Sequence, residues 1–137
     1  FDRSAARRAA SPVPVTVVGD DAQRLSLPDG SVDAVLSTWN LCGIDDAAAA
    51  LREVRRVLRP GGAFSFVEHG LSTDPDVARR QRRWDPVQKR IAGGCHVSRD
   101  IPALLESGGF RIAELEAHYL PGPKPMTYVY SGVARTA

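Results

Sequence analysis

The chain has 137 residues, 43% of them hydrophobic and 25% charged, with 18 Lys+Arg against 16 Asp+Glu for a formal charge of +2. That size supports one domain with its own core, and so slight a charge excess speaks against a dedicated nucleic-acid binder. Cys42 and Cys95 form no Cys-x-x-Cys pair, no apolar run is long enough to cross a bilayer, and no signal-peptide pattern is present. A disulfide framework and a membrane span are therefore not expected, and free thiols in a reducing cytoplasm are.

Residues 1–10 are Ala/Arg-rich with high helix propensity, stopped by Ser11-Pro12. They read as the back end of a helix, and Phe1 in place of Met puts the expected start upstream. Residues 13–18 are an apolar, β-branched run broken by Pro14, which predicts a short buried or edge strand. Gly19-Asp20-Asp21-Ala22 turns the chain, and Pro28-Asp29-Gly30 is a second turn signal. Residues 32–36 predict a strand, nearly continuous in apolar character, as expected where helices cover both faces of a parallel sheet.

A helix follows. Asp45 or Asp46 offers a carboxylate N-cap, and Ala47, Leu51, Val54 and Leu58 recur at helical spacing. Arg55, Arg56 and Arg59 suit the negative end of its dipole, and Pro60-Gly61-Gly62 ends it. Residues 63–67 predict a third strand. Residues 75–91 read as an amphipathic helix with a break at Pro86. Its cations (Arg79, Arg80, Arg82, Arg83, Lys89, Arg90) interleave with the single aromatic Trp84, so a solvated face is favoured over an RNA or membrane surface.

Ser98 is the expected N-cap of a helix through Ser107, closed by Gly108-Gly109. Residues 110–119 and 126–134 predict a final strand pair across Pro121-Gly122-Pro123-Lys124-Pro125. In the second, Met126, Tyr128, Tyr130 and Gly132 alternate with Thr127, Val129, Ser131 and Val133. This alternation of helices and strands predicts an α/β sheet.

Three pieces of residues 27–69 carry a resemblance. They are Leu27-Pro28-Asp29-Gly30-Ser31-Val32-Asp33-Ala34-Val35-Leu36-Ser37, then Leu51-Arg52-Glu53-Val54-Arg55-Arg56-Val57-Leu58-Arg59-Pro60-Gly61-Gly62, then Ala63-Phe64-Ser65-Phe66-Val67-Glu68-His69. Together they resemble the second half of a class I S-adenosylmethionine-dependent methyltransferase. Trp84-Asp85-Pro86-Val87, Gly94-Cys95-His96-Val97-Ser98-Arg99-Asp100 and Gly109-Phe110 are similar to the small-molecule group that includes the mammalian methyltransferase-like 7 proteins, which are associated with methyl transfer to thiols.

The resemblance implies a Rossmann-like methyltransferase sheet with a C-terminal antiparallel strand pair, S-adenosylmethionine as cofactor, and a small-molecule methyl acceptor, a thiol among the candidates. It also implies a departure. The family's glycine-rich loop and ribose-binding acid precede anything in this sequence, so residues 1–137 are expected to form a single, N-terminally truncated partial domain without the first two strands. Those strands would sit between residues 13–18 and 32–36. The open edge on 32–36 would be covered by residues 13–18, by a second chain in a homodimer, or by residues outside this sequence.

Site residues follow from the same resemblance. Asp21 and Ala22 stand where the family's Asp-Ala pair contacts adenine, with Asp20 an equally placed rival and an Asx turn the structural alternative. Ser37, Thr38 and Trp39 end the second predicted strand beside the ligand crevice of α/β sheets. The Ser37 backbone would touch the methionine part of the cofactor, and Trp39 would either wall the site or pack in the core. Glu68 and His69 end the third strand on the acceptor side, where His69 is the one candidate general base and a structural role is its alternative. Trp84, Cys95 and His96 belong to a lid or buried connection near the acceptor, with Arg99-Asp100 as a local ion pair. Adjacent Cys95-His96 with Asp100 makes a poor ligand set, so no metal is expected.

The function so implied is methyl transfer to a small molecule, as part of a longer or dimeric enzyme. The cofactor supplies the driving force and the protein supplies orientation. The alternative is a truncated, catalytically inactive domain that serves as a dimerisation or binding module. An RNA-associated basic domain is a third reading.

Overall fold

A computed structural model describes residues 4–19, 21–91 and 94–136. In chain order these form α1 (Ser4–Ala9), β1 (Val32–Thr38), α2 (Ala47–Val57), β2 (Leu58–His69), α3 (Pro75–Ile91), α4 (Ile101–Ser107), β3 (Phe110–Tyr119), the single turn α5 (Lys124–Thr127) and β4 (Tyr128–Thr136). The four strands lie in the order β1-β2-β4-β3. β1 runs parallel to β2, and β4 is antiparallel to both β2 and β3. The α/β sheet with its closing antiparallel pair is the architecture the sequence implies.

α2 shows how the sequence builds the core. Asp46 accepts from the Ala49 amide at 2.9 Å and starts the helix. Ala47, Ala50, Leu51, Val54 and Val57 then recur on one face and are buried. Of these, Leu51 and Val54 join a core cluster with Phe64 and Phe66 of β2, Ile101 and Leu105 of α4, Phe110 of β3 and Tyr128 and Tyr130 of β4. Along β2 the alternation is regular: Phe64, Phe66 and Glu68 are buried under the helices, while Ser65, Val67 and His69 on the other face are half-buried. Gly132 is required where β4 passes the β3 bulge at Ile112/Glu114, because a Cβ there would collide with the Glu114 backbone.

Several expectations are corrected. Residues 13–18 form no strand: Val13, Val15, Val17 and Val18 are all exposed in irregular backbone. β propensity holds a strand only when a partner strand supplies hydrogen bonds, and β1, paired with β2 alone, takes none from this run. The first of the three expected covers for the β1 edge is therefore not used. Nor are both faces of β1 covered, since Leu36 is 70% exposed. The α2 helix ends at Val57 rather than at Pro60-Gly61-Gly62, which already lies within β2. Pro86 does not break α3. Asp100, not Ser98, caps α4, accepting from Ala103 at 3.0 Å. The last strand begins at Tyr128, leaving Met126 in α5.

One anchoring network was not legible in the sequence. The Arg56 guanidinium donates to the Leu27 and Leu25 carbonyls at 2.7 and 2.9 Å and to Asp29 Oδ1 at 2.7 Å. It also grips Glu53, whose Oε2 accepts the Leu25 amide at 2.8 Å. Residues 25–29 are thereby pinned to the end of α2. Hydrogen bonds from Arg56 first, and then from the Leu25 amide, hold the Glu53 carboxyl down at about 2 against its ordinary 4.5. A depressed folded-state value means that the contribution is complete above pH 4.5 and is lost as pH falls toward 2. Wild type should therefore lose stability across that window, and E53Q should flatten the loss; acid titrations followed by circular dichroism compare the two.

Candidate cofactor and acceptor site

The sheet topology brings Asp21, Ala22 and Ser37 to one place. All three line a cavity of about 300 Å³ whose floor is apolar, made by Val35, Leu41, Ile44, Val54 and Phe64. Asp21 Oδ1 accepts the Gln23 amide at 2.8 Å in an Asx-type turn, which fixes the carboxylate at the cavity mouth. Ser37 is buried on β1, and its hydroxyl donates to Glu68 Oε1 at 2.7 Å. Thr38 and Trp39 lie beyond the lining of this cavity, and Asp20 lies outside the described residues.

Glu68 is fully buried and is spent on the loop after β1. Besides Ser37, it accepts from the Asn40 amide at 3.2 Å and the Cys42 amide at 3.4 Å. By the alternation of β2 it projects from the face opposite to His69, and its hydrogen bonds hold the loop after β1. Trp39 turns out of β1 with φ 56°, a left-handed conformation unusual for a bulky residue. Its amide still donates to Val67 at 2.9 Å, and its ring packs on His69 with centroids 4.4 Å apart. Trp39 is 45% exposed, so it is not part of the core.

The segment 94–99 closes on the same loop. The His96 amide donates to the Cys42 carbonyl at 2.6 Å. Arg99 donates to the carbonyls of Leu41, Ile44 and Asp45, the Ile44 contact at 2.6 Å. The expected Arg99-Asp100 ion pair is thus replaced by a clamp on backbone oxygens, while Asp100 caps α4. His96 Nδ1 lies 3.7 Å from Asp85 Oδ2. Burial, then the charges of Arg99 and Lys89, push its proton affinity down. Trp84 stands apart, 57% exposed on α3 beside a second, mostly apolar cavity of about 430 Å³ shared with Ile91, Val97 and Met126.

Cys95 meets residues that the sequence reading left separate. Its Sγ is 4.0 Å from His69 Nδ1, and Cys42 Sγ, His69 and Cys95 Sγ all approach within 4.8 Å of one another. A hydrogen bond between the two thiols, together with burial, drives the Cys42 thiol far up, while the same bond holds the Cys95 thiol below its ordinary value. No spacing rule reveals this trio, because the three residues come from the loops after β1 and α3 and from the end of β2.

With that geometry in view, comparison with known proteins is informative. A family model described as a methyltransferase domain matches residues 2–66. The chain is 34% identical over 119 residues to human thiol S-methyltransferase TMT1B, covering 86% of this chain and 46% of that protein. It is 48% identical over 72 residues to the ubiquinone/menaquinone biosynthesis C-methyltransferase UbiE of Caulobacter vibrioides, covering 53% of this chain and 28% of that one. The chain thus spans about half the length of the first relative and less of the second. Among solved structures, a SAM-dependent methyltransferase from Methanosarcina mazei superposes with a TM-score of 0.70 at 22% identity, covering 98% of this chain and 76% of that one. Sequence and fold agree: the family model, the thiol S-methyltransferase relatives and the Rossmann-like structural neighbours together support a class I S-adenosylmethionine-dependent methyltransferase.

Proposed function

We propose that this chain supplies the adenosine-side and acceptor-side walls of a methyltransferase that acts on a small-molecule thiol. The observation that carries this reading is the single cavity lined by Asp21, Ala22 and Ser37. Its residues fit the cofactor's adenosine end: an apolar floor for a flat base, and a carboxylate fixed at the rim to accept from an exocyclic amine. Its volume, about 300 Å³, is at the low end for ligand pockets and suits part of the cofactor rather than all of it. When bound, S-adenosylmethionine supplies an electrophilic methyl group on a sulfonium. The chain's own residues bind and orient: Asp21 and the Ala22 amide toward the base, the Ser37 backbone on the edge strand toward the amino-acid end, and Trp39 with His69 as a wall on the acceptor side. The similarity to a thiol S-methyltransferase supports a thiol as acceptor.

The same reading takes residues 1–137 as one partial domain. It takes the free edge of β1 as the place for a further strand, whether from a second copy or from a longer chain, and the unbridged Cys42 and Cys95 as suited to the cytoplasm.

The test is calorimetric titration with S-adenosylhomocysteine, followed by incubation with S-adenosylmethionine and a small thiol and mass detection of the thioether. Binding is expected, and D21A should weaken it at least about tenfold, the loss of one hydrogen bond to a charged group. A folded chain that binds nothing would instead favour the inactive binding or dimerisation module.

A further inference from the structure

We propose that Cys42 Sγ, a ring nitrogen of His69 and Cys95 Sγ form a three-ligand site for a soft divalent metal of the zinc type, with the fourth position open. The three donor atoms lie within 4.8 Å of one another. Ligands around tetrahedral zinc, with bonds of about 2.3 Å to sulfur and 2.0 Å to nitrogen, stand roughly 3.5–3.8 Å apart. Closure by about an ångström or less, within reach of side-chain rotation, completes the set.

Three independent features hold the donors. Glu68 and the Arg99 clamp fix the loop that carries Cys42. The His96 amide ties the Cys95 segment to the Cys42 carbonyl. The Trp39 ring lies against His69 and limits its rotation. Cys42 is buried while His69 and Cys95 are half-exposed, which leaves the open side toward solvent. Two thiolates and a neutral imidazole also suit the charge and softness of zinc or cobalt better than those of magnesium or calcium. An exogenous thiol or water would take the remaining position. The site stands independently of cofactor binding.

Titration of the reduced chain with cobalt(II) under anaerobic conditions tests it. One equivalent should produce the thiolate-to-cobalt charge-transfer band and the intense visible bands of tetrahedral cobalt, and zinc should displace both. C95S should lose about half of the charge-transfer intensity, and H69A should lose tight one-to-one binding, with circular dichroism confirming that each variant is folded. A folded wild type without these bands would overturn the site. So would bands unchanged in both C95S and H69A, or a Cys42–Cys95 disulfide that forms in air and resists reduction in the folded chain.

Discussion

Phe64→Ala should cost this fold about 3–5 kcal/mol, the range for truncating a fully buried phenylalanine. Phe64 is completely buried in the middle of β2. Its ring lies 5.4 Å from that of Phe110 and 6.1 Å from that of Phe66, so one residue joins the parallel half of the sheet to its antiparallel half. It also forms part of the floor of the cavity beside Ser37. Removing the ring leaves a void continuous with that cavity, which α2 and α4 cannot close without leaving their own contacts. Domains of this size have total stabilities of about 5–15 kcal/mol, so the variant should sit near the edge of folding and melt on the order of 10–20 °C lower. Phe64→Leu, which keeps most of the volume, should lose much less. Urea unfolding followed by circular dichroism measures both. Equal midpoints for F64A and wild type would mean that the core is not organised around this ring.

Elements whose stability is local were legible in the sequence. α2 could be read because its cap and its apolar spacing lie within a short window, and β4 because its residues alternate. The error over residues 13–18 has the opposite origin. β-branched residues predict a strand, but a strand exists only by pairing, and pairing is a property of the whole sheet. The Cys42–His69–Cys95 trio escaped for the same reason, since only the parallel pairing of β1 with β2 and the return of the chain after α3 bring those residues together. The hydrogen bonds of Glu68 were not legible either, because its three donors come from β1 and the loop after it, distant in sequence. Asp21 and Ala22 were read from resemblance, and the fold sets them with Ser37 on one cavity.

Glu68→Ala should produce the second large effect, about 3–5 kcal/mol. The wild-type carboxylate has no exposure to solvent and satisfies three donors, the Ser37 hydroxyl and the Asn40 and Cys42 amides. Its removal leaves those donors facing a cavity, each costing about 1–3 kcal/mol unless water enters. Glu68→Gln should recover part of the loss, because the amide oxygen can still accept from Ser37, while its NH2 group must face a backbone amide. The loss should also be local before it is global. Residues 39–43 carry Trp39 and Cys42, and Glu68 holds the Asn40 and Cys42 amides of this loop against β2 beside the Trp39–Val67 backbone bond. Hydrogen exchange at the Asn40 and Cys42 amides should therefore accelerate in E68A under conditions where the α4 amides remain protected. If those two amides exchange as slowly as in wild type, the buried carboxylate is not what holds the loop. If they accelerate, the Trp39–His69 ring pair and the sulfur at Cys42 share one support, the buried Glu68 carboxylate.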